Sequence, residues 1–154
     1  MKDINIVEVL KNSESHALQF TLNLSGLEFR KLDLSSVLQR MKTLILSNCS
    51  LRDFPLETFL PNLETLDLSF NLISEIRSGL RFTPNVHHLD LCGNLIRKFE
   101  SISGIFTHLK AVKSLNLLLN DIRKHHGYKM HLIKTLPHLK ELDECSLESE
   151  LVFL

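Results

Sequence analysis

Glycine is scarce in this sequence and scattered where it occurs: five in 154 residues, with no cluster. A phosphate-binding loop or a dinucleotide fingerprint needs closely spaced glycines to bring backbone against phosphate, so both are excluded. G-x-S-x-G is missing too, which removes the strand-to-helix nucleophile of many hydrolases. A charge of one sign is also lacking. Eighteen lysines and arginines balance eighteen aspartates and glutamates. A general nucleic-acid binder carries a basic excess, so direct contact with nucleic acid is not expected. No apolar run approaches the ~20 residues needed to cross a bilayer, and no membrane partner is expected. The opening residues, MKDINIVEVL, carry acidic groups and no long apolar core, unlike a secretion signal. Cysteine is limited to Cys49, Cys92 and Cys145. Three scattered thiols read as reduced groups in an intracellular protein, cytoplasmic or nuclear, rather than as a disulfide framework.

What the sequence does have is a period. A Leu-x-Leu pair appears at 22–24, 66–68, 89–91 and 115–117, with Leu44-Ile45-Leu46 completing the series. The steps from each pair to the next are 22, 22, 23 and 26 residues. A fixed period of this size predicts a stacked array in which each unit buries its apolar side against its neighbours. The best unit, Leu63 to Ile76, reads LETLDLSFNLISEI.

The units resemble leucine-rich repeats, with the pattern L-x-x-L-x-L-x-x-N/C-x-L. Met41, Leu44, Leu46, Cys49 and Leu51 fill it once. Leu63, Leu66, Leu68, Asn71 and Ile73 fill it next. Val86, Leu89, Leu91, Asn94 and Ile96 follow, and Val112, Leu115, Leu117, Asn120 and Ile122 come last. In the first unit Leu27 stands where Asn or Cys belongs. The segment from Tyr128, with Ile133, Leu136-Pro137, Leu139 and Leu142-Asp143, resembles the terminal cap of intracellular short-repeat proteins. That class includes the type-1 phosphatase regulator, the spliceosomal A-prime protein and the leucine-rich acidic nuclear phosphoproteins. The secreted members usually carry clustered cysteines at their caps, and this chain does not.

The resemblance implies an α/β leucine-rich repeat solenoid. A parallel β-sheet lines its concave face, short helices lie on the convex face, and both ends are capped. The whole chain, 1–154, is expected to be one domain: an N-terminal cap over 1–16, repeats over 17–122 and a C-terminal cap over 123–154. Asp3 is expected to cap a short helix whose Ile6, Val7 and Leu10 share one side. Cys49, Asn71, Asn94 and Asn120 are expected to form a structural ladder. An asparagine amide both donates and accepts, so it can satisfy buried backbone groups at the turn of a tight coil.

The strands alternate leucine with polar residues. A parallel sheet covered on both faces reads as a continuous apolar run, so here one face is open. Residues flanking the leucines point to that open side. The middle column runs Asn23, Ile45, Asp67, Asp90, Asn116 and Asp143 and holds no lysine or arginine. Six strands at ~4.8 Å spacing give a surface roughly 25 Å wide, enough for a helix or a domain edge. The candidate partner-binding residues are therefore Ile45, Asp67, Phe70, His88, Asp90, Asn116, Leu118 and Asp143. The acids attract a basic partner, and Phe70 is an aromatic anchor candidate beside Ile45 and Leu118. The plain reading is a solvated face with Thr and Ser serving strand formation. Reversing Asp67 and Asp90 to lysine is expected to cut affinity while leaving melting nearly unchanged.

Catalytic and metal chemistry find little support. Eight histidines are present, but His87 and His88 are adjacent on a strand and point to opposite faces. His125, His126 and His131 have no cysteine or carboxylate at ligand spacing to complete a tetrahedral set. No cofactor or metal is expected. Cys92 and His88 share the open face as a Cys–His pair, but at about 7 Å apart with no oxyanion donors evident. The reading reached is a non-enzymatic scaffold or regulatory subunit that binds another protein, through that protein's basic or helical surface. The alternatives are a constitutive protein subunit of a ribonucleoprotein and an enzyme using the Cys/His pair.

Overall fold

The structure is a computed structural model that describes residues 2–5, 21–33, 41–54, 58–76 and 79–147. Its main feature is a sheet of seven short strands: β2 (Thr21–Asn23), β4 (Thr43–Ile45), β5 (Thr65–Asp67), β6 (His88–Asp90), β7 (Ser114–Asn116), β8 (Glu141–Leu142) and β9 (Cys145–Ser146). They pair in that order. From β2 to β8 every pairing is parallel, and the leucines stack in register: Leu22, Leu44, Leu66, Leu89, Leu115 and Leu142. Each is buried. A parallel pair needs a crossover between its strands. The 22- to 26-residue period supplies it, so one strand is laid down per coil.

The second leucine of each pair and the residues behind it fill the interior. Leu46, Leu68, Leu91 and Leu117 are fully buried, as are Ile73, Ile96 and Ile122 on the return side. The core is thus a column running the length of the sheet, each coil touching mainly the next. Helices are few. The return between β6 and β7 holds a 3₁₀ turn (Phe99–Ile102) that runs into α1 (Ser103–His108). Ile102, Ile105, Leu109 and Val112 are buried there, and Phe99 and Phe106 pack partly buried against them. This longer return accounts for the 26-residue step. In the return after β4, residues 58–61 contain no helix.

The C-terminal segment forms α2 (Tyr128–Thr135), with Tyr128 and Leu132 buried. The backbone then turns at Leu136-Pro137 and enters β8. The end differs from a simple half-coil: β9 folds back antiparallel on β8. The two connecting residues, Asp143 and Glu144, both have positive φ (54° and 64°). That conformation twists a two-residue hairpin correctly. A short antiparallel strand also covers the last parallel edge, which would otherwise invite pairing with another chain.

The N-terminal expectation is corrected. Asp3 does not cap a helix: β1 (Lys2–Asn5) is a strand, parallel to β3 (Phe29–Asp33), in a separate two-stranded sheet. Ile6, Val7 and Leu10, expected on that helix, lie outside the described residues. The alternation of Ile4 with polar neighbours suits a strand as well as a helix turn, and the pairing with 29–33 decides between them.

Candidate functional site

Each coil leaves its strand through a tight turn, and a ladder of side chains holds these turns together. Asn71 is buried. Its Oδ1 accepts from the backbone N–H groups of Cys49 (2.9 Å) and Leu51 (3.0 Å) in the preceding coil. Its Nδ2 donates to the carbonyls of Leu46, Leu68 and Ser69 at 2.8–3.1 Å. Asn94 repeats the arrangement on Ile73 N–H and the carbonyls of Leu68, Leu91 and Cys92. Asn120 does so on Ile96 N–H and the carbonyls of Leu91, Leu117 and Leu118. Cys49 holds the corresponding place with its thiol alone, donating to Leu24 O (3.1 Å) and Ser47 O (3.4 Å). Burial pushes that thiol pKa up.

On the open side of the sheet, Asn23, Ile45, Asp67, Asp90 and Asn116 stand in one row by strand register. The row has a structural duty that composition does not suggest. Asp67 Oδ1 accepts from Ser69 N–H (2.8 Å), Asp90 Oδ1 from Cys92 N–H (2.8 Å), and Asn116 Oδ1 from Leu118 N–H (3.0 Å). Asn23 does the same for Ser25 (2.9 Å). An Asn or Asp oxygen that caps the N–H two residues on starts the turn after each strand. Lysine cannot do this, so reversing Asp67 and Asp90 to lysine would disturb two turns as well as two charges.

A concave cleft of about 320 Å³ is lined by Ile45, Asp67, His88, Asp90 and Asn116, joined by Glu141 and Glu144 from the last coil. Asn116 is nearly buried. Its Nδ2 donates to Asp90 Oδ2 (3.2 Å) and to Glu144 Oε1 (3.3 Å), so it bridges two carboxylates. Burial, and then the nearby Asp67 and Glu144, push the Asp90 carboxyl above its ordinary range, against the pull of its hydrogen bonds. Among the described residues no cation forms an ion pair with Asp67, Asp90, Glu141 or Glu144.

Three other candidates do not line this cleft. Asp143 leaves the strand at positive φ, and its carboxylate turns into the cap. It accepts from Leu117 N–H (2.8 Å), Arg123 Nε (2.7 Å) and the Tyr128 hydroxyl (3.2 and 3.3 Å), and its side chain is 8% exposed. It ties the cap to the last coil and is not presented to a partner. Phe70 and Leu118 sit in the turns beyond the strands; Phe70 is exposed and Leu118 half-buried. Glu144 was missed: it enters the cleft because the Asp143–Glu144 hairpin points it back over the row, and no glycine or asparagine marks that hairpin in the sequence.

His125 and His131 pack on Phe99, and Cys92 is buried. The His131 ring lies on Phe99 with centroids 4.0 Å apart, and His125 flanks the same ring at 5.7 Å while its Nε2 meets Arg97 O (2.7 Å). They hold the α1 return against α2. Cys92 is buried, and burial followed by the charges of Asp90, Glu144, Asp143 and Asp67 raises its pKa. Those surroundings oppose a thiolate nucleophile.

Residues 39–81 match the family model for Leucine Rich repeats (2 copies). The parallel one-strand coils continue on both sides of that segment, and the asparagine ladder continues after it through Asn94 and Asn120. The fold is a leucine-rich repeat solenoid. This chain is similar in fold to a chain in the crystal structure of the Drosophila melanogaster SNF/U2A' complex, with a TM-score of 0.83 and 24% identity over 97% of this chain and 88% of that one. A chain in the structure of the Chaetomium Mex67:Mtr2 subunits matches over 56% of this chain and 57% of its own length, at 22% identity and a TM-score of 0.48. No curated sequence matches the solenoid. No described helix of the solenoid is long and apolar enough to cross a membrane.

Proposed function

We propose that this protein is an intracellular, non-catalytic scaffold or regulatory subunit. Its concave row, centred on Asp67 and Asp90, binds a basic surface of another protein. One observation carries the reading: Asp67, Asp90, Glu141 and Glu144 line one cleft, and among the described residues no cation pairs with them. A partner's lysine or arginine would relieve their mutual repulsion and gain charge-assisted hydrogen bonds. Ile45 adds an apolar contact within the same cleft. The fold likeness to a chain that assembles with a protein in the SNF/U2A' complex supports a protein as the ligand. Three free cysteines, two of them buried, support a reducing compartment.

The test is the double variant Asp67→Asn/Asp90→Asn. Asparagine keeps Oδ1 for each turn and removes both charges. Wild type and variant are used to capture proteins from cell extract, and the recovered proteins are quantified. The expected result is one or more partners retained by wild type and lost by the variant, with wild-type capture weakening as salt rises from about 50 to about 300 mM. The same proteins at the same yield on both would reject the row as the binding surface.

A further inference from the structure

Four exposed large apolar side chains, Phe70, Leu72, Leu95 and Leu119, fall in the turns after three successive strands, β5, β6 and β7. Two of them occupy an unusual backbone position. Gly26, Asn48, Phe70, Gly93 and Leu119 take the same place in five successive turns, and all have φ between 52° and 75°. Glycine and asparagine enter that left-handed region readily, whereas a bulky side chain does so at a cost in stability. Coils one, two and four use the residues that suit it. Coils three and five use phenylalanine and leucine, and leave them 56% and 71% exposed.

Backbone bonds between coils set these turns side by side: Phe70 N–H to Cys92 O (2.7 Å) and Gly93 N–H to Leu118 O (2.9 Å). The Phe70 ring lies over Gly93, so close that a Cβ there would meet ring atom Cδ1 at 2.7 Å. The ring therefore bridges coil three to coil four, and Leu119 continues the line on coil five. Exposed apolar groups held at a backbone cost suit an interaction better than the fold, which Gly or Asn would serve.

We propose that Phe70 and Leu119 form an apolar ridge that receives an amphipathic helix of the partner, whose lysines or arginines reach Asp67 and Asp90. This rests on the reading that the concave row binds a basic protein surface. Phe70 and Leu119 are two coils apart, about 10 Å at strand spacing. Residues i and i+7 of a helix are separated by about the same rise and share one face. Asp67 and Asp90 lie three residues before Phe70 and Gly93 in their coils, so an acidic row runs alongside the ridge. Their one-coil separation, about 5 Å, fits cations three or four residues apart on the helix flank. The negative charge of that row, unpaired among the described residues, selects a basic helix over an acidic one.

The probe is a synthetic stapled helix with leucines seven residues apart and lysines on one flank; its control has serines in place of the leucines. Both are titrated into the full chain by fluorescence anisotropy, using wild type, Phe70→Asn, Leu119→Asn and Asp67→Asn/Asp90→Asn, and each protein's Tm is measured. Phe70→Asn and Leu119→Asn are expected to raise Tm while weakening the leucine peptide by about tenfold or more. They should leave the weaker binding of the serine peptide unchanged. If both variants bind the leucine peptide as tightly as wild type while the aspartate variant does not, the ridge is refuted and the acidic row stands. If the aspartate variant also binds undiminished, the row fails as well. Failure of wild type to prefer the leucine peptide, or a lower Tm in both ridge variants, also overturns the ridge.

Discussion

At the scale of single residues, the carboxylates divide by what their oxygens already hold. Asp143 is committed to the cap, with Leu117 N–H, Arg123 and Tyr128 all served by one group. Burial and that carboxylate push the Tyr128 phenol far above its usual pKa, so it remains a donor. Asp143→Ala is expected to cost about 2–3 kcal/mol in urea unfolding, mainly from the stranded N–H and hydroxyl donors. The Arg123 side chain is 41% exposed, so solvent screens its share of the pair. A loss below about 0.5 kcal/mol would contradict this assignment. Asp90 behaves oppositely. Its raised pKa means the folded protein holds the proton more tightly than the unfolded chain, so stability falls as pH rises from the ordinary carboxylate range through the folded value. Asp90→Asn keeps the Cys92 turn and removes the penalty. Because the variant also gives up the Asn116 Nδ2 bond to Oδ2, the readout is the pH dependence: its stability relative to wild type should rise from acid to neutral pH, and a pH-independent difference would speak against it. The sequence put these aspartates on the open face through simple alternation. Their second duty as turn caps depends on which N–H lies two residues on in the folded turn, and alternation carries no information about that.

Among the elements, the coil is the unit, and its asparagine is what makes one coil specify the next. Asn71 makes hydrogen bonds to two coils, whereas Cys49 offers one weak donor. Asn71→Ala is therefore expected to cost about 2–4 kcal/mol, because two buried N–H groups lose their acceptor. Cys49→Ala should cost clearly less. Equal losses in chemical denaturation would argue that the ladder's energy is packing alone. The repeating leucines were legible because a period of 22 to 26 residues leaves few ways to bury them. The terminal elements were not. Ile4 lies in a strand whose register partner, Leu32, is 28 residues away. Asp143–Glu144 turns a hairpin without the glycine or asparagine that marks such turns. In both places a contact outside the repeat decides the local structure.

For the whole molecule, a neutral total conceals an uneven distribution. Among the described residues, lysines and arginines pair elsewhere, as in Lys42–Glu64, Arg97–Asp121 and Arg123–Asp143, and none pairs with the acids of the concave cleft. The solenoid supplies a rigid row on which that imbalance can be aligned, since each coil fixes one position at strand spacing. The most direct measurement is a methyl NMR comparison of the protein alone and bound to the partner retained by wild type but lost by Asp67→Asn/Asp90→Asn. The account predicts that Ile45 in the cleft shifts or broadens, while Ile133, packed against the core on the α2 side, does not. Shifts confined to Ile133 and its neighbours, with Ile45 unmoved, would contradict it.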